Sequence, residues 1–120
     1  MKRNPDLIRA IAIATEDLAP GQVLRALPDV DGHTFALHVQ LMQDVGLVDA
    51  RFQSYISGEP PRVAVMRLTW AGADFVSAAR SDTLWAKAKK SVIAPTASWT
   101  LDLLTAWLKD QILQGFGSGT

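Results

Sequence analysis

Residues 33–69 read HTFALHVQLMQDVGLVDARFQSYISGEPPRVAVMRLT, and this stretch decides the fold. Residues 33–45 carry apolar side chains at helical spacing, Gly46-Leu47 closes the run, and two alternating segments follow. Those segments, LVDARFQ (47–53) and RVAVMRL (62–68), flank SYISGEPP (54–61). Gly58 and Pro60-Pro61 suit a hairpin loop longer than two residues. A helix that passes through Gly-Leu into a β-hairpin is the second half of a winged-helix domain. The fold class expected is α/β (α+β), a winged helix-turn-helix.

Working back from this stretch, Asn4-Pro5-Asp6 starts a helix. It offers a capping residue, proline at the first helical position and a carboxylate near the positive helix end. Leu7, Ile8, Ile11, Ala12 and Ala14 make its apolar stripe, and the helix should run over about residues 5–17, ending at Pro20-Gly21. QVLRAL (22–27) reads as a short edge strand, and Pro28, Asp29, Asp31 and Gly32 as a turn whose aspartates bond locally. Only residues 28–32 separate that strand from His33, so the helix that normally precedes the recognition helix is shortened or missing.

Forward of the stretch, Thr69 caps a helix carrying Phe75, Val76, Ala79, Leu84, Trp85 and Ala88, kinked or restarted at Ser81-Asp82. Lys87, Lys89 and Lys90 sit in its last turn, where positive charge complements the helix end. The expected division is a winged-helix domain over 1–90, a linker over 91–95, an added C-terminal helix over 96–114 and a flexible tail over 115–120. Ser98 would cap the last helix and Gly115 would stop it. Leu101, Leu104, Leu108 and Ile112 mark one face of it, with Trp107 beside them. Trp70 and Trp85 read as core. So apolar a terminal helix must cover something, its own domain or a second copy, and a homodimer through this helix is expected.

Composition narrows the function classes. A chain of 120 residues makes one domain with room for an extra helix, and buries roughly two thirds of its unfolded surface. With no cysteine there are no disulfides or thiolate metal sites. Twelve basic and twelve acidic residues cancel, which removes the global electrostatic argument for nucleic acid and leaves only a local one. Met1-Lys2-Arg3 leads into Asn-Pro-Asp rather than an apolar run, so no secretory signal is expected. Residues 99–113 are too short and too charged to span a bilayer. The expectation is a cytoplasmic protein. Glycines are scattered rather than gathered into a phosphate loop, there is no Gly-x-Ser-x-Gly elbow, and no enzyme, cofactor or catalytic residue is expected.

His38-Val39-x-x-Met42-x-x-x-Gly46-Leu47 resembles the recognition-helix signature of bacterial winged-helix regulators of the arsenic-repressor-like family. A longer set also resembles a known group. It comprises Met1-Lys2-Arg3, Asp6-Leu7-Ile8-Arg9, His38 to Gly46-Leu47, Arg67-Leu68-Thr69-Trp70-x-Gly72-x-x-Phe75 and Asp82-Thr83-x-Trp85-x-Lys87. This is the pattern of a family of short bacterial and phage proteins classed as a domain of unknown function. That resemblance implies a winged helix of phage or prophage type, with DNA binding following from the fold alone.

Projected at about 100° per residue, the recognition helix places Thr34, His38, Leu41, Met42 and Val45 on an inward arc. His33, Ala36, Gln40, Gln43 and Asp44 fall on the outward arc, with Leu37 at the boundary. His38 is expected partly buried and bonded to a backbone carbonyl. His33 and His38 stand about 140° apart by the same projection and cannot share a metal, so no metal site is expected. The expected DNA contacts are His33, Gln40 and Gln43 on the helix and Arg62 beside the wing turn. The glutamines have the chemistry to read adenine edges. Phosphate contacts would come from Lys2, Arg3, Arg9, Arg51, Arg62, Arg67 or the lysines at 87–90, with Arg51 and Arg67 alternatively forming a cross-strand pair near Asp49. A second reading keeps the fold without DNA: Ala36, Leu37 and the wing would then form an apolar protein-interaction surface.

Overall fold

The computed structural model describes residues 2–95 and 99–117. It is a mixed α+β protein, with helices and a two-stranded antiparallel sheet in an order compatible with a winged helix. The chain divides into two compact units, one ending at Ala73 and one beginning at Asp74.

In the first unit, α1 spans Pro5–Glu16, and the Asn4 side chain accepts from the backbone N–H groups of Asp6 and Leu7. Ile8, Ile11 and Ala12 are buried on its inner face. The segment expected as an edge strand pairs at one position only. Leu24 exchanges two backbone hydrogen bonds with Val65, of 3.0 and 2.8 Å. Proline at 20 and 28 removes donors on either side, and Gln22 closes a turn onto Ala19 through both its backbone and its side chain. No helix stands between Leu24 and α2. Residues 28–29 make a turn there, with Asp29 at φ +62.

Helix α2 spans Gly32–Asp44 and is capped by Asp31. It ends in a Schellman motif: the N–H of Leu47 bonds to the Met42 carbonyl and that of Gly46 to Gln43. Gly46 takes φ +78 there, the left-handed conformation that a side chain disfavours. Strands β1 (Val48–Gln53) and β2 (Arg62–Leu68) then form the hairpin. Val48, Ala50 and Phe52 face inward opposite Leu68, Val65 and Val63. The register slips by one between Asp49 and Ala50, so Met66 is an extra residue in β2. That bulge resets the alternation, turning Arg67 outward to meet Asp49 and Leu68 inward.

Helix α3 spans Trp70–Ala79. Thr69 ties its start to the end of α2. The Thr69 N–H donates to the Leu47 carbonyl at 3.0 Å, its hydroxyl donates to the Gly46 carbonyl, and the same hydroxyl accepts from the Gly72 N–H at 3.1 Å. A Cβ at position 72 would collide with the Leu47 carbonyl oxygen, so the close approach requires glycine. With Gly72 turned to Leu47, position 70 lies about 200° around the helix. Trp70 is accordingly 86% exposed, not the core residue its apolar neighbours implied.

In the second unit, α4 (Asp82–Ala88) restarts after a Ser81 cap. Phe75 and Trp85 meet edge to face at 6.2 Å. A π-helical turn over Lys89–Ile93 occupies part of the stretch expected as a linker. Helix α5 spans Leu101–Gly117, past the expected stop at Gly115. Ser98 lies outside the described residues, and the Thr100 hydroxyl caps α5 by accepting from the Leu103 N–H. Leu104 and Leu108 are buried, where α5 meets α4 and the π-helical turn.

His38 joins α2 to the start of α1. It is fully buried, and its Nε2 accepts from the Asn4 N–H at 2.8 Å. The ring proton therefore sits on Nδ1, which donates to the Thr34 carbonyl at 2.8 Å. The inward placement and carbonyl bond expected of His38 are both present. Nitrogen-15 NMR of the imidazole is expected to show His38 as the Nδ1–H tautomer; a pyridine-type Nδ1 would contradict this geometry.

The two glycines of the α2–α3 junction should fail differently. Gly46→Ala meets open space and is expected to cost about 1–2 kcal/mol in backbone strain. Gly72→Ala forces the helix off Leu47 and is expected to cost on the order of 3 kcal/mol. Urea unfolding of both variants measures the order.

Candidate nucleic-acid interface

The site lies in the first unit, on α2 and on the outer face of the hairpin. Three of the four residues expected to touch DNA are on α2, and two of those already hold internal partners. The Gln43 side-chain amide oxygen accepts from the Ala50 N–H at 2.7 Å. Ala50 sits at the register slip, so Gln43 supplies the acceptor at the point where the ladder is broken. Gln40 donates its amide to Asp44 at 2.9 Å, an exposed pair one turn apart. His33 is exposed at the first turn.

The start of α2 is electrostatically occupied. Asp31 accepts from the Thr34 hydroxyl at 2.7 Å and from the backbone N–H groups of Thr34 and His33. Foremost the Thr34 hydroxyl, then these two N–H groups, hold its carboxyl below the usual carboxylate range. A carboxylate already fills the place where a helix N-terminus would receive a phosphate.

Ala36 is buried, contrary to its projected outward position. The projection assumed one buried face. Helix α2 instead packs against α1 and against both strands of the hairpin, which widens its buried arc to Phe35, Ala36, His38, Val39 and Met42. Ala36 is thus unavailable to the apolar contact surface of the second reading, and Leu37 is half-buried.

The hairpin differs from α2. Its outward positions are Asp49, Arg51 and Gln53 on β1, facing Arg67, Ala64 and Arg62. Arg67 binds Asp49 at 2.6 Å, so the Arg51–Arg67 pairing is replaced by an Asp49–Arg67 ion pair, and Arg51 lies opposite Ala64. The Leu24–Val65 bridge sets Arg25 beside Ala64 from the other side. Arg51, Ala64 and Arg25 therefore form one row across the sheet, with Arg62 two residues along from Ala64. The three arginines line one concavity of about 360 Å³, together with Gln53 and Ala64. All three are exposed, and none has a hydrogen bond or ion pair among the described residues. The small Ala64 side chain leaves the space between them open.

Arg62 was expected as a contact from its place next to the turn, and it lines this concavity. Arg25 was not expected, because the single bridge that brings it to the sheet edge has no signature in the sequence. Among the described residues no group of three or more His, Cys, Asp or Glu could hold a metal ion, and no helix is long and apolar enough to cross a membrane.

Comparison with known proteins adds the family. The family described as "Hypothetical protein (DUF2513)" matches residues 2–98. An uncharacterized protein of Haemophilus influenzae is 32% identical over 108 residues, covering 87% of this chain and 89% of the relative. No solved structure matches. The chain belongs to the DUF2513 family.

The Asp31 cap carries a pH signature. Because its folded value is lowered, its contribution to stability is present above the unfolded carboxylate range and is lost as pH falls through the folded value. Asp31→Ala is expected to lower the melting temperature at neutral pH, with the gap to the parent chain narrowing in acid. A gap that persists unchanged below pH ~2, under the unperturbed Asp value, would place the stabilisation elsewhere.

Proposed function

We propose that this protein binds duplex DNA, with the β-hairpin and its flanking segment as the principal contact, as a small regulator of phage or prophage type. The observation that carries this reading is the trio Arg25, Arg51 and Arg62 around one concavity, unpaired and exposed. A guanidinium presents a planar fork that matches phosphate oxygens. Exposed arginines that share a concave surface and lack carboxylate partners are arranged for an anionic polymer. The chain's zero net charge does not oppose this, because charge acts over about 10 Å at ordinary salt. Asp49 on the same face is neutralised by Arg67. Glu59 in the hairpin loop is the remaining carboxylate there, and it accepts from the Ser57 hydroxyl.

Pairing of two copies through α5 has weaker support. Leu104 and Leu108 are already covered, leaving Leu103 and Leu113 exposed, and the DNA reading does not require a dimer.

Electrophoretic mobility of a random-sequence duplex should shift at micromolar protein in low salt, and the shift should disappear as salt rises. No shift in low salt would overturn the reading.

A further inference from the structure

We infer that the protein holds DNA by its sugar-phosphate backbone with little regard to base sequence, and that α2 is a structural helix rather than a reader. The inference rests on the DNA reading above and specifies its ligand: backbone phosphate presented by any duplex.

Of the three α2 side chains expected to touch DNA, Gln40 and Gln43 already hold hydrogen bonds, and His33 stands at the first turn beside the Asp31 carboxylate. Base reading in the major groove uses side chains such as glutamine or asparagine on adenine and arginine or lysine on guanine, and of these types α2 has only its two glutamines. The bond from the Ala50 N–H holds the Gln43 side chain toward the hairpin, and swinging it out to a base edge would give up that bond at the bulge. That N–H is part-buried, and leaving it unpaired costs about 1–3 kcal/mol. Gln40 has its amide on Asp44, and Asp44 itself brings negative charge to the outer side of the helix. Helix α2 carries no lysine or arginine. Its N-terminus is closed by the Asp31 carboxylate. The helix that normally steadies a recognition helix on the backbone is absent, its place taken by a turn.

The hairpin face is the reverse. Among the described residues Arg25, Arg51 and Arg62 have no partner to give up. The sheet fixes their spacing: adjacent strands lie about 4.8 Å apart, so the row Arg51–Ala64–Arg25 spreads two guanidiniums over two strand spacings, with Arg62 alongside. Set around a concavity rather than on a projecting ridge, these guanidiniums suit the convex sugar-phosphate backbone more than base edges inside a groove, and phosphate contacts carry no sequence information directly.

The test uses the full chain and fluorescence anisotropy with several unrelated duplexes of equal length. Affinities are expected to agree within a few-fold across sequences. For three phosphate contacts, the affinity should fall roughly 40-fold between about 50 and 200 mM salt, following a log–log slope of about −2.7. Each of Arg25→Gln, Arg51→Gln and Arg62→Gln should flatten that slope by about one contact, and the triple variant should bind no duplex measurably. The double variant His33→Ala, Gln40→Ala should bind like the parent. These are exposed positions, and thermal melting confirms that each variant is folded. A strong preference for one sequence overturns this inference and leaves DNA binding standing, whether or not the His33/Gln40 variant loses that preference. Retained binding by the triple variant also overturns it. Failure of the parent chain to bind any duplex overturns the DNA reading itself.

Discussion

The junction of Gly46, Leu47, Thr69 and Gly72 holds the first unit in register. Three element boundaries meet there: the end of α2, the start of β1 and the start of α3. The Schellman hydrogen bonds fix the direction in which the chain leaves α2. Thr69 then returns to the same place and satisfies the carbonyls of Gly46 and Leu47. Because Gly72 lets a helix sit directly on the Leu47 carbonyl, the strand that begins at Val48 and the strand that ends at Leu68 are brought together at their base. The hairpin register follows from that closure, and the outward side chains of the hairpin follow from the register. His38 does the corresponding work for α1, using both ring nitrogens to join Asn4 and Thr34. A side chain so placed has no nitrogen left for a ligand.

The local elements were legible in the sequence because each depends on a few residues with direct physical roles. Asn4-Pro5 starts α1, Gly46 stops α2, the alternation at 48–53 and 62–68 gives the strands, and Thr69 and Ser81 cap helices where their hydroxyls stand. The features that escaped reading depend on pairing between distant segments. The bulge at Met66 changed which face Arg67 occupies, and so replaced an Arg51–Arg67 pair by Asp49–Arg67. The bridge at Leu24 reduced an expected strand to one residue and carried Arg25 to the sheet edge. Helix α2 proved buried on two sides, which took Ala36 inward and turned Gln43 toward the hairpin. A helical projection contains no information about how many neighbours a helix has.

The same contrast shapes the functional reading. The sequence signature draws the eye to α2, yet Gln43 and His38 are engaged in joining α2 to the hairpin and to α1, and Gln40 is bonded to Asp44 along the helix. The hairpin, read first as an accessory wing, carries the uncommitted charge. Zero net charge conceals this because pairing, rather than composition, decides which charges are available: Arg67 is cancelled by Asp49, while Arg25, Arg51 and Arg62 face a common concavity without a carboxylate bound to them.

The most direct test of that assignment is nuclear magnetic resonance of the labelled chain titrated with a short duplex in low salt. The account predicts that the side-chain Nε–H signals of Arg25, Arg51 and Arg62 move together, while the side-chain amides of Gln40 and Gln43 stay in place. Movement of the Gln40 and Gln43 amides with the three arginines unmoved would contradict it.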